Sequence, residues 1–183
     1  MVRKRSPEFD PGHDELELFE AMLNDKFVNR GLDKIVKEIQ IMRVVDPENY
    51  GEYPGIKVIG GSWRSSNFAY EPDEDGDFVD TLSKVILVQI FMMENQEFEY
   101  HGEQVTGSIR GLTLIRDIIH RIATENQYYP ERASDENKAK FSDIQFDLIN
   151  PELEVWIPEF LGQVDAHALN IGYLVQYEKK RLD

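Results

Sequence analysis

The chain has 183 residues and no cysteine, and it sets 35 Asp and Glu against 20 Lys and Arg, for a formal charge of −15. That length predicts one domain. The missing cysteine excludes disulfides, thiolate metal sites and a cysteine nucleophile, and the acidity opposes ordinary phosphate-backbone binding, which needs clustered basic residues.

Residues 1–12 read as a flexible basic arm, with Arg3, Lys4 and Arg5 ahead of Pro7, Pro11 and Gly12. No apolar stretch follows those charges, so no secretory signal is expected. Asp14 stands three positions before Glu17 as a capping box, and Leu16, Phe19, Met22, Leu23 and Phe27 follow at helical spacing. A helix is predicted from Asp14 to Arg30, stopped by Gly31. Leu32 to Val45 fits a helix through Ile35, Ile39 and Met42. It fits a strand through Ile39, Ile41 and Val44–Val45, and the β-branched pair before Asp46–Pro47 favours a strand over its second half.

Asn49 to Gly55 is a loop, and Ile56, Val58 and Ser62–Tyr70 are short extended pieces around Gly60–Gly61. A connection rich in acids, residues 71–77, precedes the main central strand, Phe78 to Met93. There Ile86, Val88, Ile90 and Met92 share one face, while Val85, Leu87, Phe91 and Met93 share the other. A strand apolar on both sides needs cover on both, from a helix on one and a further sheet or subunit on the other. Gln104 to Asn126 is a second long helix, with the stripe Leu112, Ile115, Ile118, Ile119 and Ile122 and with Arg110, Arg116, Asp117 and Arg121 mostly off it.

Tyr128 to Lys140 is polar and expected to be loose. Phe141 to Leu148 alternates as a strand, Asn150–Pro151 turns the chain, and Leu153 to Ile157 is extended, with Pro158 marking an edge or a stop. The clearest strand closes the domain: Leu169, Ile171, Tyr173, Val175 and Tyr177 alternate with polar residues, Leu174 being the one exception. Lys179 to Asp183 is left as a basic tail. The sum is an α+β domain over residues 13–178, a mixed and mainly antiparallel sheet with two principal helices packed on it.

No motif for chemistry survives inspection. Asp73, Asp75 and Asp77 imitate a calcium loop, but the glycine falls fourth and the twelfth position is Lys84. His101-Gly102-Glu103 lacks the Cys pair of a zinc deaminase. His13, His120 and His167 have no partner at ligand spacing. Asp147, Glu152 and Glu154 lack the lysine of a nuclease cluster, and Gly60-Gly61-Ser62 lacks the spacing of a phosphate loop. No catalytic, cofactor-binding or metal residue is therefore named, no cofactor is expected, and the protein reads as a non-enzymatic building block. Trp63, Arg64, Leu87, Phe91 and Arg110 are the candidate subunit or partner interface. Trp and Arg are enriched where subunits meet, and Leu87 and Phe91 share one of the two apolar faces of the central strand. Trp156 has a weaker claim of the same kind.

The order of these pieces resembles the tail terminator proteins of tailed bacteriophages. The matching pieces are the helix Asp14–Arg30, Tyr53-Pro54 before Ile56–Val58, the strand Lys84–Met93, the helix Gly107–Glu125, and the ending Tyr173-Leu-Val-Gln-Tyr-Glu178. The acidic 71–81 loop and the 127–140 insertion depart from the shorter family members. The resemblance implies a virion protein of the tail or neck, assembled in the host cytoplasm. It implies a homo-oligomeric hexameric ring that caps the tail tube, contacts the tail tube protein and a head-completion or neck protein, and lets DNA pass without specific binding or any membrane association. The alternatives are another neck or tube-completion protein, or a small α+β ligand-binding module.

Overall fold

A computed structural model describes residues 14–42, 52–67, 69–142, 144–155 and 166–181, with backbone alone at 14, 61–67, 145–155 and 179. The basic arm, Val44–Val45 and Trp156 lie outside these residues. The first helix, α1, covers Asp14–Asn24 and buries Leu16, Leu18, Phe19, Met22 and Leu23. It stops six residues earlier than its apolar spacing predicts. The Asp25 carboxylate accepts the Phe27 N–H at 3.0 Å, a local bond that competes with the helix and leaves Phe27 80% exposed. Gly31, at φ +79°, then opens a single 3-10 turn, Leu32–Lys34.

Strand β1 is Glu38–Met42, the second half of the ambiguous segment, as its β-branched content argued. Strand β2 is one continuous run, Gly55–Asn67, rather than separate pieces, with register shifts between Gly60 and Ser65 absorbing the glycine pair. Strand β3, Val79–Met93, sits at the centre of a five-stranded sheet that also contains β6, Ile144–Val155, and β7, Ala166–Lys180. The strand order is β1-β2-β3-β7-β6; β1 runs parallel to β2 and every other pair is antiparallel. The mixed α+β architecture is as predicted. Asn150–Pro151 is no turn: Pro151 falls at a register shift inside β6, on an edge strand, where a missing N–H costs no ladder bond.

Between β3 and the second long helix lies a hairpin that hydrophobic periodicity does not reveal, β4 (Glu97–Tyr100) and β5 (Glu103–Thr106). His101 (φ +52°) and Gly102 (φ +81°) form its two-residue turn. The helix α2 therefore starts at Ser108 and runs to Glu125 instead of beginning at Gln104. All five residues of its apolar stripe are buried. Gly111 lets it approach the sheet, since a Cβ there would sit 2.2 Å from the Met92 sulfur.

The 127–140 insertion is ordered, contrary to its polar composition. It forms α3 (Tyr129–Arg132) and α4 (Asp135–Lys140), the latter capped by Ser134 Oγ accepting the Asn137 N–H. Helices α1 and α2 cover one face of the sheet: Ile86, Val88, Ile90 and Met92 of β3 and the five alternating residues of β7 lie in the core beneath them. Strand β7 also outruns its expected end. Lys180 still pairs with Val79, and the Arg181 N–H donates to the Phe78 carbonyl at 2.7 Å, so this part of the basic tail belongs to the sheet.

Candidate interaction surface

Among the described residues no helix lies on the opposite face of the sheet. In β3 it presents Thr81, Ser83, Val85, Leu87, Gln89, Phe91 and Met93; in the adjoining β7 it presents Ala168, Asn170, Gly172, Leu174 and Gln176. None of these twelve residues ionises, but Glu178 stands opposite Thr81 and Lys57 of β2 opposite Gln89 on the same face, so on a chain of −15 its charge is sparse rather than absent. Leu87 is 41% exposed and Met93 42%, while Val85 and Leu174 are half-buried. Gln89 donates to Asn170 across the strands at 3.0 Å, satisfying the amides within the face.

Phe91 shares this face but is buried. Its ring meets Tyr53 edge-on at 5.4 Å, packs with Ala166 and Ala168, and lies 5.3 Å from the Lys57 ammonium. It is a core residue of a small second cluster, which corrects its assignment as an interface contact. Trp63 lies opposite Lys84 in the irregular part of β2, with Arg64 next to it, and their side chains lie outside the described residues. Arg110 stands on the first turn of α2, in the helical layer, with Glu103 3.9 Å away. Of the three candidates whose side chains are described, Leu87 alone is an exposed side chain of the open face, and Met93 joins it.

Other polar groups meet only in three dimensions. Glu15 of α1 forms an ion pair with Lys84 of β3, and the Tyr177 hydroxyl donates to the same carboxylate at 3.2 Å, all three nearly inaccessible to water. Asp25 accepts from the Phe27 and Ser134 N–H groups, the Tyr129 hydroxyl and the Asn137 amide, at 2.8–3.1 Å. Burial pushes the Asp25 carboxyl up, but these donors together outweigh it and hold the group below the ordinary carboxylate range. Tyr129 moves the other way, raised by burial and by the adjacent Asp25 charge.

Ser108 and His167, 59 positions apart, also meet, with Oγ 2.5 Å from Nδ1. A nucleophile must present its oxygen to a substrate, and Ser108 is 3% exposed. The pair ties the start of α2 to β7. Among the described residues no group of three His, Asp or Glu side chains is placed to hold a metal ion. No described helix is long and apolar enough to cross a membrane.

No protein-family model matches the chain, and no curated protein matches its sequence. The open face carries the functional reading by itself. Periodicity signals it only as a second apolar side of β3. What identifies it is the scarcity of charge and the lack of a described helix over it, visible once β7 is known to lie beside β3.

Proposed function

We propose that this chain is a structural subunit that assembles with copies of itself through the open face of its sheet, and that it serves as the ring capping a bacteriophage tail tube beneath the neck. The observation that supports this is the surface across β3 and β7, sparse in charge and carrying the exposed Leu87 and Met93. On a protein of −15, copies meeting there approach with little repulsion between like charges. A tube cap works by shape and contact, with no chemistry required of it, and the order of the principal helices and strands, apart from the β4–β5 hairpin and α3–α4, resembles that of tail terminators.

Native mass spectrometry with negative-stain imaging tests the reading, and the expected result is a closed ring. Leu87→Asp is expected to dissociate that ring with little change in monomer melting, because residue 87 is already 41% exposed. Phe91→Asp is expected to unfold the chain, because an unpaired charge at a site 1% exposed is strongly destabilising. A wild-type protein that stays monomeric at high concentration, with a melting temperature raised by a small ligand, would overturn the proposal in favour of a binding module.

A further inference from the structure

We propose that the last residues of the chain form an acid-released strap, in which Arg181 grips Asp80 and so fixes the exposed loop around Tyr70. The strap operates within a single chain, whether or not copies assemble into a ring.

The loop between β2 and β3 has little in its composition to order it. Tyr70 is 92% exposed, and the exposed acids Glu71, Asp73, Glu74 and Asp75 follow, like charges that repel one another. Its backbone is nevertheless folded. The Asp73 carboxylate accepts the N–H groups of Asp75 and Asp77 at 3.0 and 2.9 Å, and the Asp73 N–H donates to the Asp77 carbonyl at 2.8 Å. These bonds close the turn; others fasten it to the sheet, through the end of β7.

The stronger fastening is at Asp80, on β3 and 6% exposed. Arg181 lays its guanidinium fork across this carboxylate, Nε donating to Oδ2 at 3.2 Å and Nη2 to Oδ1 at 2.5 Å. Such bidentate, charge-assisted pairs are among the strongest polar contacts a side chain makes. The same Nη2 reaches the Ala69 carbonyl at 3.4 Å, and the Ala69 N–H donates to Asp80 at 3.0 Å. Arg181 is itself positioned, its N–H donating to the Phe78 carbonyl at 2.7 Å and its guanidinium lying 5.5 Å from the centre of the Phe78 ring. Asp80 thus accepts from both the first residue of the loop and the end of the chain. The second fastening, Lys180 to Asp77 at 2.6 Å, joins two half-exposed side chains, a kind of pair that is weak and screened by salt.

The charges around Asp80 set how the strap responds to pH. From β7, Arg181 acts on it directly, Lys179 stands opposite it in the ladder, and Lys180 is engaged with Asp77. Glu178 lies one step further, opposite Thr81, and β2 brings the uncharged Ser66 and Asn67 to this level. Along β3 the next charge on the same side is Lys84, paired with Glu15. Burial pushes the Asp80 carboxyl up, but the Arg181 and Ala69 hydrogen bonds and the guanidinium charge outweigh it and hold the group below the ordinary aspartate range. The strap is therefore fully closed above the ordinary aspartate value and opens as pH falls through the lower, folded value. Opening frees the loop locally while the sheet stays formed.

Amide hydrogen exchange on the full chain, corrected for the intrinsic pH dependence of exchange, tests the strap. Protection over Ala69–Asp77 is expected to hold from neutral pH to the ordinary aspartate range and to fall below it, while amides over Ile86–Ile90 stay protected. Raising salt to about 1 M at neutral pH, where the Debye length is roughly 3 Å, is expected to leave loop protection within about twofold, because the fork sits on a sheltered carboxylate. Asp80→Asn, which mimics the protonated group, and Arg181→Ala are each expected to lower loop protection at neutral pH by at least about tenfold and to abolish its acid dependence. Arg181→Lys, which keeps the charge without the fork, is expected to fall between them and wild type. Wild-type protection in either of the first two variants, or loop protection that salt removes, overturns the proposal. Loss of protection in loop and sheet together, in acid or in Arg181→Ala, also overturns it, because Arg181 would then be a prop of the whole fold. If Asp80→Asn does not fold, Arg181→Ala decides.

Discussion

Asp25 decides more of the local structure than its place in the sequence suggests. It ends α1, and its carboxylate gathers Tyr129, Ser134 and Asn137 from the 127–140 insertion. A polar insertion becomes ordered because one buried anion satisfies several donors at once, and hydrogen bonds to a charged acceptor contribute roughly 1.5–3 kcal/mol each. Asp25→Ala leaves the Tyr129 hydroxyl and the Ser134 N–H without this acceptor. Chemical denaturation is expected to show a loss of at least about 2 kcal/mol. The pH dependence has a definite sign. The folded pKa lies below the unfolded one, so the stabilisation is fully present above the ordinary aspartate value and is lost as pH falls through the folded value. The stability gap between wild type and Asp25→Asn, which mimics the protonated group, should therefore be widest near neutrality and shrink in acid. A gap that widens on acidification would contradict this account.

At the scale of elements, β7 is the member that the sheet cannot lose. It pairs with β3 over its whole length and with β6 on its other side. Its five core residues, Leu169, Ile171, Tyr173, Val175 and Tyr177, are each at most 1% exposed. Four of them lie beyond Asn170, and at about 1.5–3 kcal/mol each their removal forfeits roughly 6–12 kcal/mol, a loss comparable with the ~5–15 kcal/mol stability of a whole domain. A chain ending at Asn170 is expected to show no cooperative melting transition by circular dichroism. A chain ending at Glu178 is expected to fold, yet to melt lower than wild type and to lose amide protection around Ala69–Asp77, because Lys180 and Arg181 hold that loop. From the sequence alone the last residues look like a solvated tail with no bearing on stability. Their acidic partners stand about a hundred positions earlier, out of reach of any local pattern. The Glu15–Lys84–Tyr177 cluster is hidden in the same way. In an otherwise apolar strand Lys84 looks like a surface residue, and only the docking of α1 brings it a counter-charge.

For the molecule as a whole, charge is the property that bears most on function. In the ring we propose, chains at −15 each would repel a duplex passing through it, and Lys180 and Arg181 are engaged with Asp77 and Asp80. Fluorescence anisotropy with a labelled duplex is expected to show no binding tighter than the non-specific range of roughly 10⁻⁴–10⁻⁶ M at physiological salt. Tight, salt-sensitive binding would mean that a basic surface has been overlooked. The open face is also a whole-molecule feature, since it joins residues from separate strands.

The sequence by itself determined what depends on neighbours within a few turns or along one strand. The α2 stripe, the alternation of β7, the two-sided character of β3 and the α+β class are all periodic signals, and periodicity is local. Some missed features also left local traces: Ser134 ahead of Asp135 and Glu136, with Lys138 and Lys140 behind, is a capped helix start, and His101-Gly102 is a hairpin turn. Tertiary structure alone decided which side of β3 stays open, that Phe91 is enclosed while Leu87 is not, and that the chain's end braces its acidic loop. Each of those outcomes depends on which distant strand or carboxylate arrives beside a residue, and burial and pairing are set by that neighbour rather than by the residue's own side chain.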